Sequence, residues 1–193
     1  MLRTLLLCGG RSSRFGSDKL LARITRGGVS AEMALVAAQR ALQGAGPVTA
    51  VIPLEAARLR KLLEPAGCEI LETADTVRGL GASLAAGVSH TSRSDGWIVA
   101  LGDMPFIEAA TFEAIARALR DGALIAAPIL PDGKRGHPVG FSKELRAELV
   151  ALDGDEGARS VIQRHVARLV SIPVTDRGIV IDIDTPGDLA AAN

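Results

Sequence analysis

The chain has 193 residues, with 22 basic and 22 acidic side chains and a formal net charge of zero. A protein that lives on a nucleic acid backbone carries a marked basic excess, so this balance argues against nucleic acid as the main partner while leaving a nucleotide open. Hydrophobic residues make up 48% of the chain but aromatic ones only 3%, so Ala, Leu, Val and Ile must build the core, which suits helices packed on a central sheet.

The first eight residues, Met1-Leu2-Arg3-Thr4-Leu5-Leu6-Leu7-Cys8, are apolar but lack the length and flanks of a signal peptide. No run approaches the ~20 apolar residues of a transmembrane helix, so a cytoplasmic protein without membrane contact is expected. Thr4–Cys8 reads as a buried first strand, followed by a loop rich in Gly, Ser and basic residues. A helix is expected over Ala31–Leu42 with Gly44 as its stop, then a strand over Val48–Ile52 and a helix over Ala56–Leu63. Strand Glu69–Leu71, helix Leu80–Ser89 and strand Trp97–Leu101 follow. The pattern continues through helix Ala109–Arg120, closed by Gly122, and strand Leu124–Ala127. Helix Ala158–Arg168 and strand Leu169–Val174 precede Thr185-Pro186-Gly187-Asp188, an N-cap with Pro at the first helical position of a terminal helix.

This alternation predicts a Rossmann-like, three-layer α/β/α architecture with a mostly parallel sheet, in a single domain spanning residues 1–193. The two cysteines, Cys8 and Cys68, lie in apolar runs and are expected as reduced core thiols; a disulfide between buried strands is the alternative. In an open parallel sheet ligands bind outside the carboxyl ends of the strands, so the chemistry is sought in the loops that follow them.

After the first strand comes Cys8-Gly9-Gly10-Arg11-Ser12-Ser13-Arg14-Phe15-Gly16-Ser17-Asp18-Lys19. Gly9 and Gly10 permit close backbone approach, and backbone N–H groups, the serines, Arg11, Arg14 and Lys19 can converge on one polyanion. The plain alternative is a glycine turn followed by a solvated charged loop. Neither the Walker pattern nor the dinucleotide fingerprint fits, because Ser17-Asp18 separates Gly16 from Lys19 and the glycines fall at 9, 10 and 16. The missing fingerprint disfavours a nicotinamide-dependent oxidoreductase. The strand ending at Leu101 runs into Gly102-Asp103-Met104-Pro105, which places Asp103 at the same sheet edge. A carboxylate beside phosphates suits Mg²⁺, which takes one or two protein carboxylates and keeps several waters; capping of the next helix is the other reading of Asp103.

Leu7, Gly10, Ser12, Arg14, Gly16 and Lys19 match every fixed position of the nucleotidyltransferase signature Leu-x-x-Gly-x-Ser-x-Arg-x-Gly-x-x-Lys. Gly102-Asp103-Met104-Pro105 resembles the metal-binding segment of molybdenum cofactor cytidylyltransferases. Arg78-Gly79-Leu80-Gly81-Ala82-Ser83, Gly136-His137-Pro138, Gly154-Asp155-Glu156-Gly157-Ala158-Arg159 and Asp182-Ile183-Asp184-Thr185-Pro186 extend the resemblance over most of the chain.

The resemblance implies the nucleotide-diphospho-sugar transferase type of fold and a Mg²⁺-dependent transfer of CMP from CTP to the terminal phosphate of molybdopterin, with loss of pyrophosphate. Cys8 to Ser13 would line the phosphates, and Arg14 and Lys19 would neutralise them. Gly79, Gly81 and Ser83 would lie against base and ribose, while His137, Asp155 and Arg159 would face the acceptor. Asp103 with Asp184 would hold Mg²⁺, Asp182 being the alternative second ligand. A recipient molybdoenzyme or its chaperone is the implied protein partner.

Cys8-Gly9-Gly10 leans instead towards the family's GTP-using members, because glycine leaves room for a purine where alanine would crowd it. The usual Gly-x-Pro-Leu after the signature is replaced by Gly27-Gly28-Val29-Ser30. A guanylyltransferase, a sugar- or alcohol-phosphate nucleotidyltransferase and a non-catalytic cofactor carrier are the competing readings.

Overall fold

Strand β1, Arg3–Leu7, is buried on both faces from Thr4 to Leu7, which fixes it at the centre of a sheet with layers on either side. The computed structural model describes residues 1–9, 19–26 and 28–192. A hairpin of β2 (Arg23–Arg26) and β3 (Val29–Glu32) leads into α1 (Met33–Ala45). Then come β4 (Val48–Pro53), α2 (Ala57–Leu63), β5 (Glu69–Thr73), α3 (Leu80–His90), β6 (Gly96–Leu101), α4 (Ala109–Arg120) and β7 (Ile125–Ile129). The chain closes with β8 (Val139–Ser142), α5 (Arg146–Val150), α6 (Arg159–Arg164), β9 (Leu169–Pro173) and α7 (Pro186–Ala192).

Seven strands form one sheet in the order β5-β4-β1-β6-β8-β7-β9. Every neighbouring pair is parallel except β8, which runs against both β6 and β7. The expected three-layer, mostly parallel architecture is therefore present. One core layer sets Leu6, Ala50, Ile52 and Ile98 against α1, α2 and α4; the other sets Leu5, Leu7, Val51 and Val99 against α3 and α5. Small residues let the layers approach closely. Gly44 lies inside α1, and a Cβ there would run into the Ala109 carbonyl and Phe112 of α4. The expected stop at Gly44 is thus displaced to Gly46, whose φ of 87° ends the helix.

All six expected strands are present within one or two residues, as is α4 over the expected span. The hairpin, β8 and α5 lie outside the sequence expectation, and the expected helix over Ala158–Arg168 shortens to α6 followed by a 3₁₀ turn over Val166–Arg168. Thr185 caps α7 as expected: its hydroxyl accepts from the Asp188 amide at 3.2 Å, and Asp188 accepts from the Thr185 amide at 2.7 Å. Cys8 and Cys68 are free and buried. Burial pushes the Cys8 thiol far up and the Cys68 thiol up to about 11, so both stay protonated and unreactive. No described helix is long and apolar enough to cross a membrane.

Asp176 joins the end of the chain to α4. Its buried carboxylate accepts from the Glu108 amide at 2.8 Å, the Thr111 hydroxyl at 2.7 Å and the Gly178 amide at 2.9 Å. Asp176→Ala would orphan all three donors, and a loss of about 2 kcal/mol is expected in urea unfolding.

Candidate functional site

Four parallel strands, β5, β4, β1 and β6, deliver their carboxyl ends to one edge of the sheet, and the predicted site loops start there. The loops after β1 and β6 begin side by side, because the Gly102 amide donates to the Leu7 carbonyl at 3.0 Å. One residue later stands Asp103. Its backbone carbonyl accepts from the Ile183 amide at 3.1 Å, which draws the Asp182–Asp184 segment up to the same edge. Asp103 does not cap α4: Glu108 stands at the N-cap, and its amide and the Thr111 hydroxyl donate to Asp176.

Lys19 opens a 3₁₀ turn over Lys19–Leu21 and turns its side chain inward, leaving the residue 8% exposed. Its Nζ donates to Asp103 Oδ2 at 2.9 Å and to Asp184 Oδ1 at 2.6 Å. Burial opposes the ammonium, but the two carboxylates outweigh it and hold the Lys19 pKa above its ordinary 10.5. The lysine is a fixed positive charge at the sheet edge. Of the two aspartates in the terminal segment, Asp184 makes this contact; Asp182 is exposed.

Asp103 Oδ1 is buried and has no hydrogen-bond partner among the described residues. A buried carboxylate oxygen without a donor is an expensive arrangement unless a cation satisfies it. No group of three or more His, Cys, Asp or Glu among the described residues could hold a metal. Two carboxylates converging here, one with a spare oxygen, fit a hard ion that draws its remaining ligands from phosphate and water, as Mg²⁺ does.

Gly10, Arg11, Ser12, Ser13 and Arg14 lie outside the described residues. Gly9 is packed tightly, as a Cβ on it would come within 2.9 Å of Thr76 Cβ and 3.2 Å of Ser83 Oγ. A glycine at position 9 is therefore demanded by the chain's own packing, whatever base is bound. Thr76, 4% exposed in a 3₁₀ turn over Ala74–Arg78, carries no signal in the sequence.

Gly79, Gly81 and Ser83 are occupied structurally. The Ser83 hydroxyl is buried and donates to the Gly79 carbonyl at 2.8 Å, and the Gly81 amide donates to the Gly154 carbonyl at 2.7 Å. Gly79, at φ 120°, abuts Gly154 and the Asp155 carboxylate. Arg78 ties the same loops by pairing with Asp75 and Asp153, each at 2.9 Å. The segments expected on the base side and the acceptor side thus form one joined wall. Asp155 and Arg159 are exposed along it, and neither bonds to Lys19 or Asp103.

His137 is half-buried beside β6, its Nδ1 3.4 Å from the Val99 carbonyl. Burial lowers its pKa below 6.5, against the pull of the Val99 carbonyl and the charges of Asp103 and Asp182. As pH falls through 6.5 the unfolded chain takes a proton before the folded one, so stability is lost below that pH. Urea midpoints measured from pH 7.5 to 5.5 should fall less steeply for His137→Gln than for the wild type.

A cavity of about 340 Å³ adjoins Lys19, walled by Cys8, Leu20, Pro53, Leu54 and the start of α2. No motif marks the β4–α2 connection as part of a site. Its one structural signal is Glu55, the only described non-glycine residue at positive φ, 62°.

A family model described as the MobA-like NTP transferase domain matches residues 4–169. Among solved structures, the chain is similar to Rv0371c from Mycobacterium tuberculosis H37Rv, at 25% identity and a TM-score of 0.84 over 99% of this chain and 96% of that one. The same mycobacterial protein in complex with manganese gives 24% and 0.81 over the same shares. The molybdopterin-guanine dinucleotide biosynthesis protein A of Archaeoglobus fulgidus is similar at 20% identity and a TM-score of 0.63, over 98% of this chain and 96% of that one. No curated protein matches the chain.

Proposed function

The chain belongs to the family of MobA-like NTP transferase domains, and on that premise we propose that this nucleotidyltransferase moves CMP from CTP to the terminal phosphate of molybdopterin. The observation that carries the reading is the convergence of Lys19, Asp103 and Asp184 at the carboxyl edge of the sheet. The acceptor phosphate oxygen attacks the α-phosphorus in line, one P–O bond forms, the bond to the β-phosphate bridge breaks, and pyrophosphate leaves. No protein nucleophile is needed, and the protonated Cys8 does not offer one. Lys19, with Arg14, neutralises charge on the triphosphate, and the backbone from Gly9 to Ser13 lines it. Asp103 and Asp184 would hold Mg²⁺, which when bound supplies further neutralisation of the leaving pyrophosphate.

The nucleoside lies between the cavity beside Lys19 and the Gly79–Gly81 side of the joined wall, with Ser83 buttressing it, and Asp155 and Arg159 on the same wall border the acceptor together with His137. We place the protein in the cytoplasm as a single domain over residues 1–193, handing its product to a recipient molybdoenzyme or its chaperone. A GTP-dependent guanylyl transfer is the second reading. It is supported by Gly9 and by the similarity to the molybdopterin-guanine dinucleotide biosynthesis protein A of Archaeoglobus fulgidus, although the packing of Thr76 and Ser83 around Gly9 gives that glycine a reason independent of the base.

Incubation with molybdenum cofactor, Mg²⁺ and equal CTP and GTP, followed by mass spectrometry, tests the choice. A cytosine dinucleotide is expected. A guanine dinucleotide overturns the base assignment, and unchanged cofactor overturns the acceptor.

A further inference from the structure

The contacts of Lys19 carry an inference about how this site loads, one that rests on the proposed metal role of Asp103 and Asp184. The ammonium stands 2.9 Å from Asp103 Oδ2 and 2.6 Å from Asp184 Oδ1, the two carboxylates that would share a divalent ion. An ion bonded to Asp184 Oδ1 at about 2.1 Å lies within about 5 Å of that ammonium, also when its Asp103 ligand is the unpartnered Oδ1. Two cations so close in a partly buried site repel strongly, with little water to screen them. Lys19 is itself buried, with its ammonium held by both carboxylates, so it fills the place the ion would take.

From this geometry we infer that Lys19 acts as a resident counter-ion that excludes the divalent ion until a triphosphate arrives. Without nucleotide it neutralises the two aspartates and holds the Asp182–Asp184 segment against Asp103. A triphosphate offers the ammonium new acceptors, and the carboxylates released by its shift are then open to the metal. Metal and nucleotide binding are therefore coupled: each raises the affinity for the other by the same factor, as linkage requires. One lysine thereby links charge neutralisation in the resting site to neutralisation of the substrate.

Mn²⁺ binding without nucleotide, followed by the loss of the free-ion electron paramagnetic resonance signal, tests this in wild type, Lys19→Met and the double variant Lys19→Met/Asp103→Asn. Lys19→Met should bind Mn²⁺ about tenfold or more tightly than wild type, and the double variant should lose that gain. Removing the lysine leaves two carboxylates facing each other, so Lys19→Met should melt lower than wild type in chelator. Mn²⁺ should then raise its melting temperature, and should not raise that of the double variant.

Equal Mn²⁺ affinity in wild type and Lys19→Met, lost in the double variant, overturns the exclusion by Lys19 and leaves the metal site standing. The exclusion is likewise overturned if neither binds Mn²⁺ alone and both bind it equally once CTP is added. No Mn²⁺ binding by either, with or without CTP, overturns the metal site and the inference together.

Discussion

Asp103→Asn is expected to lower nucleotidyl transfer by about a thousandfold or more, equivalent to about 4 kcal/mol of transition-state stabilisation. The substitution keeps the size of the side chain but removes its charge and exchanges one of its two oxygens for a donor, in a carboxylate whose Oδ1 is buried without a partner among the described residues. Folding should be nearly unaffected. Lys19 keeps its bond to Asp184, and the Asp103 backbone keeps its bond to the Ile183 amide. Steady-state pyrophosphate release, read beside thermal melts of both proteins, checks the prediction. Activity within tenfold of wild type would remove Asp103 from the chemistry.

Gly79→Ala should be the most damaging substitution by a single methyl, with a loss of about 3 kcal/mol or more in urea unfolding. Two effects add. The backbone at φ 120° is strained for any residue with a Cβ, and that Cβ would press on the Gly154 carbonyl and the Asp155 carboxylate. The clash falls on the junction where Arg78, Gly81 and Ser83 hold the two loops together, so transfer should weaken along with stability. Gly122→Ala is the matched control. Its φ is also positive, at 94°, but a Cβ there meets nothing within 4 Å, so only the strain, about 1 kcal/mol, should appear.

The central parallel strands β1, β4 and β6 are legible in the sequence because each is a short apolar run followed closely by Gly or Pro, and burial on both faces leaves no competing pattern. Strand β8 is not legible. Val139-Gly140-Phe141-Ser142 is four residues long and contains a glycine, and only its pairing with β6 and β7 makes it a strand. The β2–β3 hairpin does carry a signal, since Gly27-Gly28 joins two short runs as a hairpin turn would. It is obscured because Ala31 and Glu32 also extend the helical pattern of α1 backwards.

In the site, Asp103 and Asp184 can be read from the resemblance of their segments, and the structure brings both to Lys19. That Lys19 binds carboxylates is hidden in the sequence, because the contacts span 84 and 165 residues. The role of Gly9 is hidden for the same reason. A glycine beside a phosphate loop suggests room for a ligand, and only the fold shows Thr76 and Ser83 filling that room.

Single-turnover release of pyrophosphate from CTP with molybdenum cofactor, titrated with Mg²⁺ in wild type and Asp184→Asn, tests the central claim most directly. Release that requires Mg²⁺ is predicted in the wild type, with the Mg²⁺ requirement shifted to higher concentration and the rate cut in the variant. Release that is independent of Mg²⁺, or a variant with the wild-type titration, would contradict a reaction centred on Lys19, Asp103 and Asp184.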